Sequence, residues 1–276
     1  MSIRSMNQAT TTMNQLQKQL DIIGNNMSNS STTGYKSRQA EFSSLLFQQI
    51  NNMNHPENQT GRLTPDGIRT GLGARLGAVN VNNALGSLNQ TDRDLDAALL
   101  NENHFFEIQG NAGEALFTRD GSFYLQPVNN NTEVELVTKN GDYVLGSDGN
   151  PIRFASTEID GIQIEEDGTI MVTRGQQTEN VGEISIVSID NPRILEADGD
   201  NNFRLPNEDE SGLGYADVVG AVNTGGKLLQ SGALEMSNVD ISNQMTDLIS
   251  AQRSYQMNAR SISTADDMQS LVNQLR

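Results

Sequence analysis

The sequence contains no cysteine and no tryptophan, and two of its 276 residues are histidine. Without cysteine the chain has no disulfide framework, no thiolate nucleophile and no thiolate metal site. Aromatic residues make up 5% of the chain, which disfavours a cleft that stacks sugar rings. These absences make several common classes of enzyme and metal protein poor explanations of the sequence.

Basic residues and long apolar runs are also scarce. The chain has 18 Lys and Arg residues against 35 Asp and Glu residues, a net charge of −17. Nucleic acids and anionic membranes bind clustered basic residues, so we expect no nucleic-acid partner. No stretch approaches the roughly 18 apolar residues of a transmembrane helix, which predicts no direct membrane insertion. The first residues lack the apolar core of a signal peptide, so we expect any export to need no cleaved leader.

Charge and proline are distributed unevenly along the chain. Residues 1–60 hold four bases and three acids, residues 241–276 hold three of each, and the residues between hold 11 bases and 29 acids. All six prolines lie between Pro56 and Pro206, so both ends can form continuous helix. Uncharged polar ends can be covered by other subunits at little desolvation cost, whereas an acidic middle suits a solvated outer face.

Apolar residues recur at heptad spacing at both ends of the chain. The N-terminal seam consists of Met6, Ala9, Met13, Leu16, Leu20, Ile23 and Met27. The C-terminal seam consists of Ile241, Met245, Leu248, Gln252, Tyr255, Ala259 and Ile262. Helices with such narrow apolar seams are marginal alone. We therefore expect long terminal helices that pair with each other, in a coiled-coil-like layer, and with neighbouring subunits; an intramolecular two-helix hairpin is the alternative.

Between the ends, the pattern changes to short strands and turns. Six Asp-Gly or Asn-Gly dipeptides mark turns from Asp120 to Gly199. Residues 162–164 and 170–172 flank one of them and read as a hairpin with its apolar side chains on one face. The sequence therefore predicts an α+β chain whose centre is an all-β antiparallel domain.

These patterns divide the chain into four segments. We expect an N-terminal helical polymerisation segment over residues 1–47, an extended arm over 48–74, a β-rich outer domain over 75–235 and a C-terminal helical polymerisation segment over 236–276. The arm is predicted from its amide-rich start and from the Pro and Gly residues that prevent a helix.

No catalytic or metal constellation emerges from the residues. The sequence has no G-x-S-x-G motif whose serine could act as a nucleophile with His55 or His104 as its base. The carboxylates are so numerous that no two of them stand out as a catalytic pair. The D-x-D-x-D run from Asp92 to Asp96 lacks the Gly and the bidentate Glu of a calcium loop, and the run from Asp198 to Asn202 fails in the same way. The sequence therefore predicts no enzyme, no cofactor and no metal site.

Local motifs at both ends resemble the bacterial flagellar rod and hook protein family. The N-terminal motif residues are Asn25, Asn26, Gly34, Tyr35 and Lys36, within the strings LDIIGNNMSN and TGYK. The C-terminal motif residues are Leu234, Glu235, Ser237, Asn238 and Val239, within the string GALEMSNVD. The β region is similar to the family over residues 94–99, 105–106, 117–123 and 136–141. The departure is at residues 101–104, where the family usually has a glycine-containing turn.

The resemblance implies a non-enzymatic subunit of the flagellar basal body. Members of the family polymerise helically into a hollow tube, pair with other rod and hook subunits, and leave the cytoplasm through the flagellar type III export apparatus without a cleaved leader. The chain is most similar to the distal-rod members, in which the arm packs between subunits. Phe42 and Leu46 resemble the F-x-x-x-L motif presented to the export gate, and an ordinary apolar helix face is the other interpretation. A proximal-rod or hook subunit, and more remotely a secreted β-domain enzyme or adhesin, are the alternatives.

Overall fold

A computed structural model of the protein describes residues 2–44, 47–50, 68–71, 74–110, 113–157, 159–206, 212, 214–222 and 226–274. The chain divides into two compact units. The terminal unit consists of residues Met1–Met27, Arg38–Asn80 and Ile241–Arg276. The central unit consists of residues Ser28–Ser37 and Val81–Asp240.

The described helices are α1 (Ser2–Ser28), α2 (Tyr215–Val218) and α3 (Ile241–Gln274). The two long helices occupy the regions where the heptad seams predict them. Helix α1 ends at Ser28, before a turn-forming stretch that includes Gly34 in the left-handed conformation. Residues 29–44 and Phe47 are therefore not a continuation of the helix, although the predicted N-terminal helical segment extended to residue 47.

Paired strands follow α1 in the terminal unit: β1 (Arg38–Ser44), β2 (Phe47–Ile50), β3 (Ile68–Gly71) and β4 (Ala74–Val81). Strand β1 pairs with β4, and β2 pairs antiparallel with β3 so that Phe47 faces Gly71 and Ile50 faces Ile68. Both ends of the predicted arm thus lie in paired extended chain, while residues 51–67 lie outside the described residues.

The central unit is built from short strands, as the turn dipeptides predict. They are β5 (Leu88–Gln90), β6 (Ala97–Leu99), β7 (His104–Gln109), β8 (Ala115–Thr118), β9 (Phe123–Val128), β10 (Glu133–Thr138), β11 (Tyr143–Val144), β12 (Arg153–Ala155), β13 (Gly161–Ile164), β14 (Thr169–Arg174), β15 (Gln177–Glu183), β16 (Ile186–Ile189), β17 (Glu196–Gly199), β18 (Asn202–Arg204), β19 (Val219–Ala221), β20 (Leu229–Ser231) and β21 (Ala233–Glu235). A 3-10 turn, Pro192–Ile194, precedes β17.

Most of these strands join one antiparallel sheet. Among the described residues it contains ten strands, with the path β12-β10-β11-β7-β8-β18-β17; β9 also pairs with β10, and β16 links β7 to β19. The pairs β20-β6 and β21-β5 are separate ladders, and β13, β14 and β15 form a further small sheet. In the last of these Ile162 faces Val172 and Ile164 faces Ile170, which confirms the predicted hairpin.

The core of the central unit lies on both faces of strand β7. Successive side chains of a strand point to opposite faces. Phe106 accordingly packs in a large cluster, edge-to-face with Phe123 at 5.1 Å between ring centroids, and Phe105 packs in a second cluster against Phe203 at 6.0 Å. The alternation continues in β8, where Leu116 joins the first cluster and Phe117 the second.

Candidate functional site

The two motif segments from opposite ends of the chain meet in the central unit. Lys36 and Glu235 are both buried, with the Lys36 Nζ atom 2.6 Å from Glu235 Oε1. The same Lys36 ammonium donates to the backbone oxygens of Asn83, at 3.3 Å, and Ala84, at 2.8 Å. Glu235, the last residue of β21, thus holds a lysine that lies 199 positions earlier in the chain. We call this group of contacts the motif junction.

Arg119 is the second cation of the motif junction. Its Nε atom donates to Glu235 Oε2 at 2.9 Å, and its Nη2 atom lies 2.8 Å from the same oxygen. Its Nη1 atom donates to the backbone oxygens of Asn101, Glu102 and His104. One buried carboxylate is therefore the shared counterion of two buried cations, and the guanidinium also fixes the loop before β7.

Burial and mutual charge shift the pKa values of this group. Burial, together with the neighbouring Arg119, lowers the pKa of Lys36 to about 8, although Glu235 opposes this change. Burial alone raises the pKa of Glu235, but Arg119 and Lys36 hold that pKa below its ordinary value. Glu235 is therefore an ionised acceptor, and removing its charge leaves two cations without their counterion.

Glycine is required at two points of the motif junction. Gly34 has φ +67, and a Cβ atom there would lie 2.7 Å from the backbone nitrogen of Asp120. The Gly34 backbone nitrogen donates to the Glu235 backbone oxygen at 2.8 Å. The Gly86 nitrogen donates to Glu235 Oε1, and a Cβ atom on Gly86 would lie 1.9 Å from the oxygen of Met236. These close backbone approaches explain the two glycines physically.

Asn238 joins the same two segments through its side-chain amide. Its Oδ1 atom accepts from the Ser37 nitrogen at 2.8 Å, and its Nδ2 atom donates to the oxygens of Asn82 and Ala84. Of the other motif residues, Tyr35 is buried, Leu234 and Val239 are half-buried, and the Ser237 hydroxyl accepts from the Val239 nitrogen.

Asn26 has a comparable role in the terminal unit. Its Nδ2 atom donates to the Arg38 oxygen and its Oδ1 atom accepts from the Arg38 nitrogen, both at 2.9 Å. The Nδ2 atom also lies 3.1 Å from Gln244 Oε1 on α3. The buried amide thus links α1, the start of β1 and α3, whereas Asn25 beside it is exposed.

The predicted seam residues differ in exposure between the two helices. On α1, Ile23 is buried and the other six seam residues are half-buried. On α3, Leu248, Tyr255, Ala259 and Ile262 are half-buried, while Ile241 and Met245 are exposed. Apart from Ala259, the less exposed positions of α3 form a second heptad series, which shares Leu248, Tyr255 and Ile262 with the predicted seam. The series is Gln244, Leu248, Ala251, Tyr255, Asn258, Ile262 and Ala265.

Helix α3 also carries apolar side chains away from that series. With 3.6 residues per turn, Ile249, Met257, Met268 and Leu271 share one sector of the helix, about 100° wide, that faces away from that series. Ile241 and Met245 lie outside this sector, on the side nearer to Leu248. All six are exposed, and Leu271 keeps 60% of its surface accessible. We call Ile249, Met257, Met268 and Leu271 the exposed α3 face. A search for one seam misses it, because its spacing is not a heptad.

Comparison with known proteins connects these features to a family. Residues 6–36 match the family described as "Flagella basal body rod protein", residues 99–172 match "Flagellar hook protein FlgE/F/G D1 domain", and residues 230–275 match "Flagellar basal body rod FlgEFG protein C-terminal". The chain is 40% identical over 277 residues to "Flagellar hook-basal body complex protein FlhP" of Bacillus subtilis, covering 99% of this chain and 100% of the relative.

Two relatives named as rod proteins show a similar match. The chain is 34% identical to "Flagellar basal-body rod protein FlgG" of Agrobacterium fabrum over 98% of both chains, and 33% identical to the protein of that name in Bacillus subtilis over 98% of both chains. The chain belongs to the flagellar basal-body rod and hook protein family. That family is structural, so this chain is a structural rod subunit of the flagellum and not an enzyme.

The three charged side chains of the motif junction fall one in each of the three family matches. The N-terminal match stops at residue 36 and the C-terminal match starts at residue 230, so Lys36 and Glu235 fall inside them. Arg119, which completes the charge cluster of this rod subunit, falls within the central match. The signal for Arg119 in the sequence is its place in the similar stretch 117–123, but spacing alone does not pair it with Glu235.

The remaining predicted residues of the rod subunit have the following places. Phe42 lies in strand β1 and is exposed, so the interpretation as a helix face does not apply to it; Leu46 lies outside the described residues.

Asp96, in the run of alternating aspartates, accepts hydrogen bonds from Thr91 and Arg93. Within the described ranges no group of three or more His, Asp or Glu residues is arranged to hold a metal ion. No helix in that part of the chain is long and apolar enough to cross a membrane.

Proposed function

We propose that this subunit polymerises helically into the rigid hollow shaft of the flagellar rod through its two long helices. The observation that carries the proposal is the exposed α3 face. A 34-residue helix that has a less exposed side and, opposite to it, a row of exposed apolar side chains can bury the second side against another subunit. In this proposal the seams of α1 and α3 pair as a coiled-coil-like layer inside the tube.

The charge distribution supports this arrangement. The terminal unit holds nine basic and seven acidic residues, whereas the central unit holds nine basic and 28 acidic residues. Packing many copies side by side is easiest for a segment with little net charge, because like charges repel at close range. The acidic central unit is accordingly the part that faces solvent on the outside of the tube.

The proposal extends to the surroundings of the subunit. Its partners are copies of itself and other rod and hook subunits, and its place is the basal body outside the cytoplasm. It leaves the cytoplasm through the flagellar type III export apparatus without a cleaved leader, with Phe42 and Leu46 as the residues presented to the export gate. Full-length matches to relatives named rod protein favour a position in the rod, and the arm over residues 48–74 favours its distal part.

The experiment is a polymerisation assay on two variants of neighbouring residues. Leu271→Asp places a charge in the exposed α3 face, and we expect it to abolish polymer formation because an unpaired carboxylate in a dry contact costs several kcal/mol. Ser270→Asp adds the same charge one residue away, outside that face, and serves as the matched control. Sedimentation and electron microscopy measure the polymer, and circular dichroism verifies that both monomers keep their fold.

The two variants must differ for the proposal to stand. Polymers from Ser270→Asp and none from Leu271→Asp are the expected pair of results. Normal tubes from Leu271→Asp would show that this side of α3 is not a subunit contact.

A further inference from the structure

Among the methionines whose side chains the structure describes, the exposed ones lie on one helix. Met245, Met257 and Met268 are exposed and all belong to α3, whereas Met6, Met13, Met27, Met171 and Met236 are half-buried. Met257 and Met268 have 68% and 56% of their surface accessible and belong to the exposed α3 face. Two polarizable thioethers thus stand in the surface that the proposed polymer buries.

A thioether in water reacts directly with hydrogen peroxide. The sulfur lone pair attacks one peroxide oxygen, an S–O bond forms and the O–O bond breaks. The departing hydroxide takes the proton from the oxygen now bound to sulfur and leaves as water. Sulfur loses two electrons and peroxide gains them, and the product is methionine sulfoxide. The reaction turns an apolar side chain into a polar one, which disrupts methionine-rich contacts.

We propose that Met257 and Met268 are oxidation sites through which peroxide controls the assembly of this subunit. The proposal rests on the polymerisation through α3 described above. Oxidised subunits fail to join the polymer, because burying a sulfoxide oxygen without a hydrogen-bond donor is unfavourable. Subunits already in the polymer are protected, because their thioethers no longer meet the solvent.

The first measurement is the rate of oxidation at each methionine. The purified full-length monomer and the assembled polymer are exposed to dilute hydrogen peroxide, and sulfoxide is located by peptide mass spectrometry. In the monomer we expect Met257 and Met268 to oxidise about tenfold faster than the half-buried Met171. In the polymer the rate at Met257 and Met268 should fall by a similar factor. Equal oxidation rates at these two residues in monomer and polymer would contradict the proposal that the polymer protects them from peroxide.

The second measurement compares the assembly of oxidised variants. Oxidised wild-type chain should need about a tenfold higher concentration to polymerise, which corresponds to about 1.4 kcal/mol. M257L/M268L cannot be oxidised at the proposed sites, so the concentration at which it polymerises should be the same before and after the treatment. M245L, which removes the exposed methionine outside the exposed α3 face, is the matched control and should remain sensitive to peroxide.

The outcomes separate this inference from the proposed function. Failure of untreated wild-type chain to polymerise counts against the proposed function. Normal polymerisation of untreated chain together with unchanged polymerisation of chain oxidised at Met257 and Met268 overturns the oxidation proposal alone. Protection by M245L instead of M257L/M268L does the same. Treatment with methionine sulfoxide reductase and dithiothreitol, which returns sulfoxide to thioether and water, should restore assembly of the oxidised wild type.

Discussion

The two units of the chain bury their side chains very differently. Among the described residues, the buried hydrophobic side chains of the terminal unit are Ile23, Ala251 and Ala265, two of which are alanine. The central unit contains two hydrophobic clusters with several fully buried phenylalanines. The central unit therefore has a core of its own, whereas the long helices of the terminal unit leave apolar surface for other copies to cover.

The buried polar groups follow the same division. In the central unit, the motif junction joins the N-terminal and C-terminal motif segments through two cations and one carboxylate. In the terminal unit, a neutral amide, Asn26, makes the corresponding link. The central unit is thus stabilised within one chain, and under the proposed function the terminal unit is stabilised by assembly; the predictions below test that difference.

The largest expected effect is in the core of the central unit. Phe106→Ala removes a fully buried ring and should lower the free energy of unfolding by about 3–5 kcal/mol. Leu271→Ala in the exposed α3 face should leave it within about 0.5 kcal/mol of wild type. Urea denaturation of the monomers measures both values. A similar loss of stability for the two variants would remove the distinction between the units.

A comparable loss is expected at the motif junction. Glu235→Gln leaves the buried Lys36 and Arg119 without a negative partner, so we expect a cost of about 3–5 kcal/mol in thermal or urea unfolding. Glu196→Gln is the matched control, because Glu196 pairs with Arg204 where both side chains are half exposed, and solvent screens such a pair so that it contributes little to stability. Equal melting curves for the two variants would contradict the role given to Glu235.

The pH dependence of stability tests Lys36 separately. Its pKa is lowered in the folded chain from 10.5 to about 8, so between these values the unfolded chain binds more protons and the free energy of unfolding rises with pH. Lys36→Met lacks this group. From about pH 8 to about pH 10, the stability of wild type should therefore rise relative to Lys36→Met, by on the order of 1–3 kcal/mol. A difference that stays constant or falls would show that Lys36 is not desolvated.

The effect of the smallest extent, confined to one part of the chain, is expected in the terminal unit. Asn26→Ala removes the acceptor of the Arg38 amide and should cost about 1–3 kcal/mol locally. We expect faster hydrogen exchange of the Arg38 amide, with little change at the amides of β7 in the central unit. Asn14→Ala, at an exposed position of the same helix, is the control. Unchanged exchange at Arg38 would mean that the amide link does not hold β1.

Much of the fold follows from the sequence because its signals are local. The hairpin of Ile162 and Val172 is specified by alternation and by one Asp-Gly turn, and the long helices by heptad spacing. The strand over residues 38–44 is not predicted, because its partner β4 is separated from it by about 30 residues of chain. Strand pairing at that distance depends on contacts that no local pattern records.

The candidate site is predicted only where the resemblance names its residues. The motifs contain Lys36, Glu235 and Asn238, but their contacts depend on how the strands bring together segments about 200 residues apart. Arg119 acquires its role from β8, which carries it to Glu235. The exposed α3 face has no heptad spacing and becomes visible only when the exposure of each side chain is known.

The central claim is that the exposed α3 face is covered in the polymer, and the absence of cysteine allows it to be measured directly. Ser250→Cys places a thiol on that side of α3, and Gln177→Cys places one on the exposed strand β15 of the central unit. Reaction of each thiol with a maleimide is then timed in the monomer and in the polymer. The account predicts that polymerisation blocks the thiol at position 250 and leaves the one at position 177 reactive. Equal reactivity at position 250 in monomer and polymer would contradict it.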